Sequence, residues 1–506
     1  MKLSSSAQMR EMDSYAINEL NIAGTLLMSN AAEHVAVAAI EHMPKGGNVA
    51  VFCGTGNNGG DGIGAAAYLI SSGVSVRVFL IGDKRKLSSD SEAMMHRLLA
   101  EGGNVEIFSQ TSDIGQYVKS CSVIIDALFG IGLNSEISGE ALLAVRMINE
   151  SEAFVIAADI ASGVQADTGA ILGESVKANM TVTFSMAKPG HFVEPGCISC
   201  GELVVVDIGI PKELTDEAAS FVFAVTSDEV RLPSRRRDAH KGDFGRVLIA
   251  AGCKGYTGAP ALSALAASRM GAGLVFLGVP ESIYDITASK LTEEMPFPLP
   301  ADSSGKLSST ASCELVRRAN ECDVLLVGPG LGISHEITEL VLTLIKQVRV
   351  PIVLDADGLN AISENMDVLA QAEGPLILTP HPGEFLRLGG NLSSLDRLSS
   401  AREFAHKNNC ILVLKGHRPI TSTPDGTAFI STTGGPAMAK GGSGDVLAGM
   451  IAALTAQKFP LIKAVTAAVY LHGLSGDICA SELGEYSVTA SDIISSVPKA
   501  AKQFIR

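Results

Sequence analysis

The chain has no tryptophan, and its 7 tyrosines and 17 phenylalanines keep aromatics at 5% of 506 residues. Glycine (52 residues) and alanine are abundant instead, a balance that suits α/β layers with tight turns at ligand sites. Positive charge is short: 39 Lys and Arg stand against 54 Asp and Glu, a formal net charge of −15. That deficit argues against non-specific nucleic-acid binding and against an anionic membrane surface. An anionic ligand must therefore be held by local N–H groups and a few basic side chains. No stretch is long and apolar enough to span a bilayer, and the opening MKLSSSAQMREMDSYAINEL has no apolar signal core, so a soluble, cytoplasmic setting is expected. The 9 cysteines are scattered and odd in number, which excludes a disulfide framework and fits a reducing compartment. Cys197-Ile-Ser-Cys200 is a lone CxxC and reads as packing. Fixed-period repeats and low-complexity segments are absent.

What is present is apolar bulk and strand-to-turn chemistry. Hydrophobic residues make up 46% and charged residues 18% of a chain too long for one ordinary domain, so two to four cores are expected. Residues 8–42 read as helical, with Met12, Ile17, Leu20, Leu26, Leu27 and Val35 at apolar positions. NVAVFCG (48–54) then reads as a strand, GTGNNGGDGIGAAAYLIS as a glycine loop entering a helix, and VSVRVFLIG (74–82) as the next strand, which is a βαβ unit with a parallel sheet. Further strands are expected at 122–130, 154–160 and 180–185. In an open parallel sheet ligands bind beyond the carboxyl ends of the strands, so the turns there should converge. Three of these turns carry chemistry: Gly54 to Gly62, Asp126 to Leu133, and Asp159 to Val164. Asn58, Asp126 and Ser162 offer only oxygen donors at successive strand ends, and with one carboxylate among them they suit a monovalent cation such as potassium; alternatively, Asp126 and Ser162 cap turns.

GNNGGDG, DALFGIGL, DIASG and KPGH (188–191), in this order, resemble the NAD(P)H-hydrate epimerase family over roughly residues 1–215. The resemblance implies a Rossmann-like αβα domain that interconverts the R and S forms of hydrated NADH or NADPH. It implies substrate contacts from Asn57, Asn58, Gly59, Gly60 and Asp61, from Gly130, Ile131, Gly132, Leu133, Asn134, Ser135 and Glu136, and from Asp159, with K+ held by Asn58, Asp126 and Ser162. Inversion beside the ring nitrogen needs a positioned acid or base, and Asp159 is the candidate. The chain departs from the family pattern at Ala161 (usually proline), at Gln165 (usually aspartate) and at Asn134-Ser135 (usually more basic).

Composition turns polar near residues 217–230, where a domain boundary is expected. The densest basic run, Arg235-Arg236-Arg237, reads as a solvated face, with phosphate contact as the alternative. A second alternation of strands (246–252, 274–279, 323–330, 351–359, 375–380 and 410–416) and helices then implies a second parallel α/β sheet. Its strand ends carry Gly328-Pro-Gly330-Leu-Gly332, Asp355-Ala-Asp357-Gly358-Leu-Asn360, Thr379-Pro-His381-Pro-Gly-Glu384, Lys415-Gly416-His417 and finally GGPAMAKGGSGD (434–445). In that last stretch the glycines of Gly441-Gly442-Ser443-Gly444 let backbone N–H groups crowd together ahead of a helix, a cradle for an anion, and Asp445 lies beside it as a base for the group attacking a phosphate. Alternatively Asp445 is only a helix cap, His381 a structural residue between two prolines, and Lys415 a surface charge.

KGDFGRVLIAAG, VGPGLG, LDADGLN, LTPHPGE, VLKG and GGSGD together resemble the ribokinase-like superfamily, and within it the ADP-dependent NAD(P)H-hydrate dehydratase family, over roughly residues 225–506. The resemblance implies substrate contacts from Gly332, from His381, Pro382, Gly383, Glu384, Phe385, Leu386 and Arg387, and from Asp445. It places ADP on Lys415, Gly416, His417, Arg418 and Pro419, and on Gly435, Pro436, Ala437, Met438, Ala439, Lys440, Gly441, Gly442, Ser443 and Gly444, with Mg2+ as the divalent cation. Thr421 comes later after Lys415 than the family pattern has it. The fold expected is α/β: two three-layer αβα domains, Rossmann-like over 1–217 and ribokinase-like over 225–506. The partners expected are NADH and NADPH hydrates and ADP, with no nucleic acid and no membrane, in a homo-oligomer. A ribokinase-like vitamin-precursor kinase with an N-terminal binding or scaffold domain is the rival reading.

Overall fold

The computed structural model describes residues 1–392 and 396–505. The chain forms two compact units, one of Lys2–Val222 and one of Met1 with the chain from Phe223 onward.

Seven strands build the sheet of the N-terminal unit: β1 (Asn48–Cys53), β2 (Ser75–Leu80), β3 (Val105–Ile107), β4 (Val123–Ala127), β5 (Phe154–Ala158), β6 (Met180–Phe184) and β7 (Glu202–Val206). Their order is β3-β2-β1-β4-β5-β6-β7 and every pairing is parallel. This is a doubly wound sheet whose strand order reverses between β1 and β4, where a ligand crevice opens at the carboxyl ends. Period-2 alternation feeds two cores. Val49, Val51 and Cys53 of β1 pack with the helices Gly24–His42, Asn57–Ser71 and Ser89–Ala100, while Ala50 and Phe52 pack on the other face with Ser112–Ser120 and Gly139–Asn149. Residues 8–42 are not one helix but two, Ser6–Asn18 and Gly24–His42. Ser5 and Gln8 close a capping box at the first start, and Asn21 turns between the two helices at φ +56°, a left-handed conformation that an Asn side chain tolerates better than most.

The C-terminal unit is organised on a ten-stranded sheet of β8 (Val222–Val225), β9 (Arg246–Ala250), β10 (Leu274–Pro280), β11 (Met295–Leu299), β12 (Val324–Val327), β13 (Ile352–Leu354), β14 (Leu376–Leu378), β15 (Ile411–Leu414), β16 (Ile420–Ser422) and β17 (Ala428–Ser431), in the order β11-β10-β9-β12-β13-β14-β15-β16-β17-β8. The strands from β11 across to β15 pair in parallel, but β15, β16 and β17 run antiparallel, so the sheet is mixed rather than wholly parallel. The cause is local: Pro424-Asp425-Gly426 forms a turn with Gly426 at φ +83° and Thr423 N–H donating to the Thr427 carbonyl, a Pro-Asp-Gly hairpin signal.

Helix Ser443–Ala456 is buried almost all round and packs on helix Gly258–Arg269. A Cβ at Gly449 would fall 2.2 Å from the Ser263 carbonyl oxygen, so glycine is what lets the two helices approach this closely. The basic run is held by its own unit. Arg235 stacks over the Phe244 ring at 3.8 Å and donates to the Gly271 carbonyl at 2.5 Å, and Arg236 pairs with Asp238 at 3.6 Å.

Candidate active sites

The loop after β1 runs straight into helix Asn57–Ser71 because glycine permits it. A Cβ at Gly59 would stand 1.9 Å from the Gly54 carbonyl oxygen, and one at Gly60 would meet Ser91 Oγ at 2.5 Å and Met28 Sδ at 2.7 Å. These two glycines therefore pack the helix start and do not line the crevice. The crevice itself is a cavity of about 540 Å3 lined by Asn57, Asn58 and Asp61 from this loop, Gly130, Ile131, Gly132 and Leu133 from the loop after β4, and Asp159 after β5. Asn134, Ser135 and Glu136 are exposed and lie outside that lining. Gln165 Oε1 accepts from the Asp167 and Thr168 N–H groups at 2.8 and 2.7 Å, so the amide oxygen caps a turn as a carboxylate would.

Asp159 is the most constrained group in the cavity. Its backbone is held at φ +64°, a conformation that costs a non-glycine residue about 1–3 kcal/mol and persists where surroundings enforce it. The surroundings are visible: Lys188 Nζ donates to Oδ1 at 2.5 Å and to Thr183 Oγ1 at 2.8 Å, and Thr183 Oγ1 donates to the same Asp159 oxygen at 3.2 Å. His191 Nδ1 accepts the Lys188 backbone N–H at 3.0 Å, so its proton sits on Nε2, which donates to the Asp159 carbonyl at 3.0 Å. Burial holds this imidazole neutral, lowered to about 4. Burial also pushes the Asp159 carboxyl up, but Lys188, His191 and Thr183 together outweigh it and hold the group below its ordinary value. Asp159 is thus an ionised carboxylate, able to accept a proton or face a cation and unsuited to donate. Three further carboxyls line the cavity, Asp13, Asp61 and Asp90, and burial raises the first two: Asp13 to about 6 and Asp61 well above its ordinary value. Sequence reasoning missed Asp13, Lys188, His191 and Thr183 as site residues. KPGH marked the position of two of them, and Asp13 carries no local signal on an ordinary amphipathic helix.

The candidate potassium ligands fall at the same strand ends. Asp126 is fully buried and accepts from Ser162 Oγ at 2.7 Å, from Ser162 N–H at 2.8 Å and from Leu128 N–H at 3.3 Å. Both polar atoms of the Asn58 amide are buried without a hydrogen-bond partner among the described residues. An orphaned buried amide oxygen is the kind of donor a hard cation takes.

In the C-terminal unit the last turn of the sequence meets the others. Gly442 at φ +95° caps helix Ser443–Ala456, and a Cβ on Gly444 would stand 3.3 Å from Lys415 Nζ and 4.0 Å from Asp355 Oδ2. Lys415 donates to Asp355 Oδ1 at 2.7 Å and lies 3.9 Å from Glu384 Oε2, while Thr379 Oγ1 donates to Asp355 Oδ1 at 2.8 Å. Asp445 closes this group. Its carboxyl is raised to about 7, by burial first and then by Asp355, with Lys415 opposing. Burial works against the Lys415 ammonium, but Asp355, Glu384 and Asp445 prevail and raise it. The turn Asp355-Ala356-Asp357 bends through Ala356 at φ +49°; Asp357 accepts from Gly332 N–H at 2.8 Å and from Asn360 Nδ2 at 3.2 Å, and Asn360 Oδ1 accepts from Arg387 Nε at 3.0 Å. Gly332 and Arg387 are thereby tied to one carboxylate.

His381 caps helix Pro382–Arg387, accepting from Gly383 N–H at 3.0 Å through Nδ1, and its own N–H donates to Glu384 at 2.8 Å. Leu386 is exposed, but Phe385 is fully buried against Phe404 and faces the core. Among the residues expected to hold ADP, Arg418 sits at φ +53° and donates to the Thr432 carbonyl, a Cβ on Gly416 would stand 2.6 Å from Arg397 Nη2, and Pro419 accepts from Ser431 N–H at 2.9 Å. Gly435 lies beside Asp477, whose carboxylate accepts from Gly434 N–H at 2.9 Å, and Lys440 reaches the Tyr486 carbonyl at 2.5 Å. His417, Pro436, Ala439 and Gly441 are exposed, whereas Ala437 is buried in the core and Met438 packs against it. Among the described residues Ser443 Oγ, at the helix start, is buried without a hydrogen-bond partner, and so is His472 Nε2 in helix Leu461–Leu483.

Residues 24–190 match the family model described as YjeF-related protein N-terminus, and residues 247–499 match that described as NAD(P)H-hydrate dehydratase. The chain is 39% identical to the bifunctional NAD(P)H-hydrate repair enzyme Nnr of Moorella thermoacetica over 98% of its own length and 96% of that protein's. It is 36% identical to the enzyme of the same name from Thermofilum pendens, over 99% of its own length and 96% of that protein's. The chain belongs to the bifunctional NAD(P)H-hydrate repair enzyme family. Among solved structures it is similar to the ADP/ATP-dependent NAD(P)H-hydrate dehydratase from Bacillus subtilis co-crystallised with ATP/Mg2+, with 30% identity and a TM-score of 0.49, over 56% of this chain and 99% of that one. Both units are α/β in class. Among the described residues no helix is long and apolar enough to cross a membrane.

Proposed function

We propose that residues 1–217 interconvert the R and S hydrates of NADH and NADPH, and that residues 225–506 dehydrate the S form at the expense of ADP, releasing NAD(P)H, AMP and phosphate. The observation that carries the reading is Asp445, a carboxyl raised to about 7 beside the Lys415–Asp355 pair at the head of a helix that starts on Gly442. A hydroxyl is a poor leaving group near neutral pH, whereas phosphate leaves readily. Asp445 takes the hydroxyl proton as that oxygen attacks the β-phosphorus of ADP, and Lys415 with the N–H groups of Gly442, Ser443 and Gly444 holds the charge of the transferred group. The ring nitrogen then drives elimination. Asp355 Oδ2, which makes no hydrogen bond among the described residues and faces Gly444, would hold a divalent cation, and Mg2+ bound there would supply charge neutralisation.

In the N-terminal unit the ionised Asp159 faces the ring that becomes cationic when the hydroxyl leaves, and Asn57, Asp61 and Gly130 to Leu133 frame it. Potassium held by Asn58, Asp126 and Ser162 would supply positive charge against the buried Asp126 carboxylate. Mixed R and S hydrates incubated with the full chain and ADP test the reading through the absorbance of regenerated NADH. Complete recovery of NADH with AMP formation is expected. A stable phosphorylated product, or recovery that stops when the S form is spent, would overturn it.

A further inference from the structure

We infer that Asp13, on the first helix of the chain, is the proton carrier of the epimerisation, a role that rests on the epimerase reading of the cavity. The placement is geometric. Met9, Arg10, Asp13 and Ile17 line the cavity at i, i+1, i+4 and i+8, the repeat of one helix face, and Met9 and Met12 anchor that helix in the core. Arg10 Nη2 donates to the Ile131 carbonyl at 3.3 Å, which binds this face of the helix to the loop after β4. The Asp13 side chain makes no hydrogen bond or ion pair with any described residue, so its carboxyl is free for a ligand.

The charged groups lining the same cavity are Arg10, Asp61, Asp90, Asp159 and Lys188. Lys188 is committed to Asp159 at 2.5 Å, which leaves Asp159 without a proton to give. Burial raises Asp13 to about 6, Asp159 adds to the rise and Lys188 opposes it, so near neutral pH the group passes readily between its two states. An acid and a carboxylate whose environments push them apart are a usual division of acid–base labour.

In the step, the C–O bond beside the ring nitrogen breaks with its electron pair on oxygen, which takes the Asp13 proton and departs as water. The nitrogen lone pair closes a C=N bond, and the ring cation faces Asp159. Water adds to the opposite face, its extra proton returns to the Asp13 carboxylate through solvent in the cavity, and the nitrogen recovers its lone pair. Nothing is oxidised and no co-reactant is consumed.

The test uses the full chain and purified R hydrate without ADP, following R-to-S equilibration by NMR across pH, with ADP-dependent dehydration of the S hydrate as a control on the other unit. Asp13→Asn is expected to lower kcat for equilibration by about 10²-fold or more with KM little changed, Asp13→Glu to recover part of it, and dehydration of the S hydrate to stay intact. Wild-type equilibration should fall as pH rises above about 6, and Asp13→Asn should lack that limb. Equilibration by Asp13→Asn within about threefold of wild type, with the same pH limb, would overturn the role. Should Asp13→Asn unfold the N-terminal unit, the wild-type profile decides, since a rate that is flat or rises through that range refutes an acid with this pKa. A wild-type chain that fails to speed equilibration at any pH overturns the epimerase reading itself.

Discussion

Asp445→Asn is expected to destroy dehydration while making the C-terminal unit more stable, a pairing that separates a chemical role from a structural one. Asparagine keeps the shape of the side chain and removes its basicity. Loss of a general base costs about 10²–10⁴-fold in rate, equivalent to roughly 3–5 kcal/mol of barrier. Stability moves the other way. The folded carboxyl titrates near 7 against 3.8 when unperturbed, a gap of roughly three pH units, so ionised Asp445 costs the fold roughly 4 kcal/mol at 1.36 kcal/mol per pH unit. An acid raised on folding carries no such penalty below pH 4, since both states are then protonated. The penalty grows between the two values and is complete above about 7. Asp445→Asn should therefore raise the thermal transition of this unit at pH 8, identified as the one that ADP shifts, and leave it nearly unchanged at pH 4. Wild-type dehydration should climb with pH through about 7, the limb of a base losing its proton. Equal loss of dehydration and of epimerisation in a folded Asp445→Asn protein would refute the two-site assignment. Retention of a tenth or more of the dehydration rate would refute the base.

Other perturbations probe the N-terminal unit. Lys188→Met leaves Asp159 buried without its partner, so about 3–5 kcal/mol should be lost in urea unfolding at pH 7, with the deficit shrinking as pH falls and Asp159 protonates; a deficit independent of pH would refute the pair as its source. Potassium in place of tetramethylammonium should raise the thermal transition of this unit in the wild type but not in Asn58→Ala, and a wild type indifferent to potassium would refute the ligand set. Gly59→Ala puts a Cβ 1.9 Å from the Gly54 carbonyl oxygen and should abolish epimerisation while ADP-dependent dehydration of the S hydrate persists; equilibration at the wild-type rate would show that the loop accommodates it.

Strands buried on both faces were legible because continuous apolar runs between turn residues have few other solutions, as at β1, β4 and β12. Short or half-exposed strands escaped. Val105–Ile107 spans three residues, and Glu202–Val206 alternates too weakly to stand out from loop. The hairpin Ile420–Ser431 was readable from Pro424-Asp425-Gly426, but the parallel alternation upstream obscured it. At the sites, glycine-rich turns disclosed position rather than role. Gly59 and Gly60 stand in the same motif as Asn57, Asn58 and Asp61, yet the two glycines pack away from the cavity that the other three line. Phe385 sits in LTPHPGEFLR, one residue from Glu384, yet its ring belongs to the core because a helix sends neighbours to different faces. Asp13 was invisible, since only the fold sets the first helix over a cavity formed at the ends of strands that begin 35 or more residues further on.

The two sites share one electrostatic arrangement on different sheets. In each, a largely buried lysine takes one aspartate for itself, Lys188 with Asp159 and Lys415 with Asp355. In each, a second aspartate without a direct ion pair stands nearby and is raised toward neutrality, Asp13 to about 6 and Asp445 to about 7. The physical reason is common to both. A buried lysine can neutralise one carboxylate at hydrogen-bond distance, and at a second carboxylate burial, with the first one's charge adding to it, then outweighs the shared ammonium. One lysine among several acids thus yields a fixed anion and a mobile proton without a histidine in either role; His191 is held neutral and spent on orienting the turn that bears Asp159. Both reactions act on a hydroxyl beside a ring nitrogen, and both need a proton moved at that oxygen near neutral pH while a cationic ring or a phosphate is held still. In the proposed mechanisms an ionised carboxylate meets the first of those charges, and a lysine with helix N–H groups meets the second. In the proposed mechanisms, the pairing of each lysine therefore selects which aspartate remains free to carry the proton.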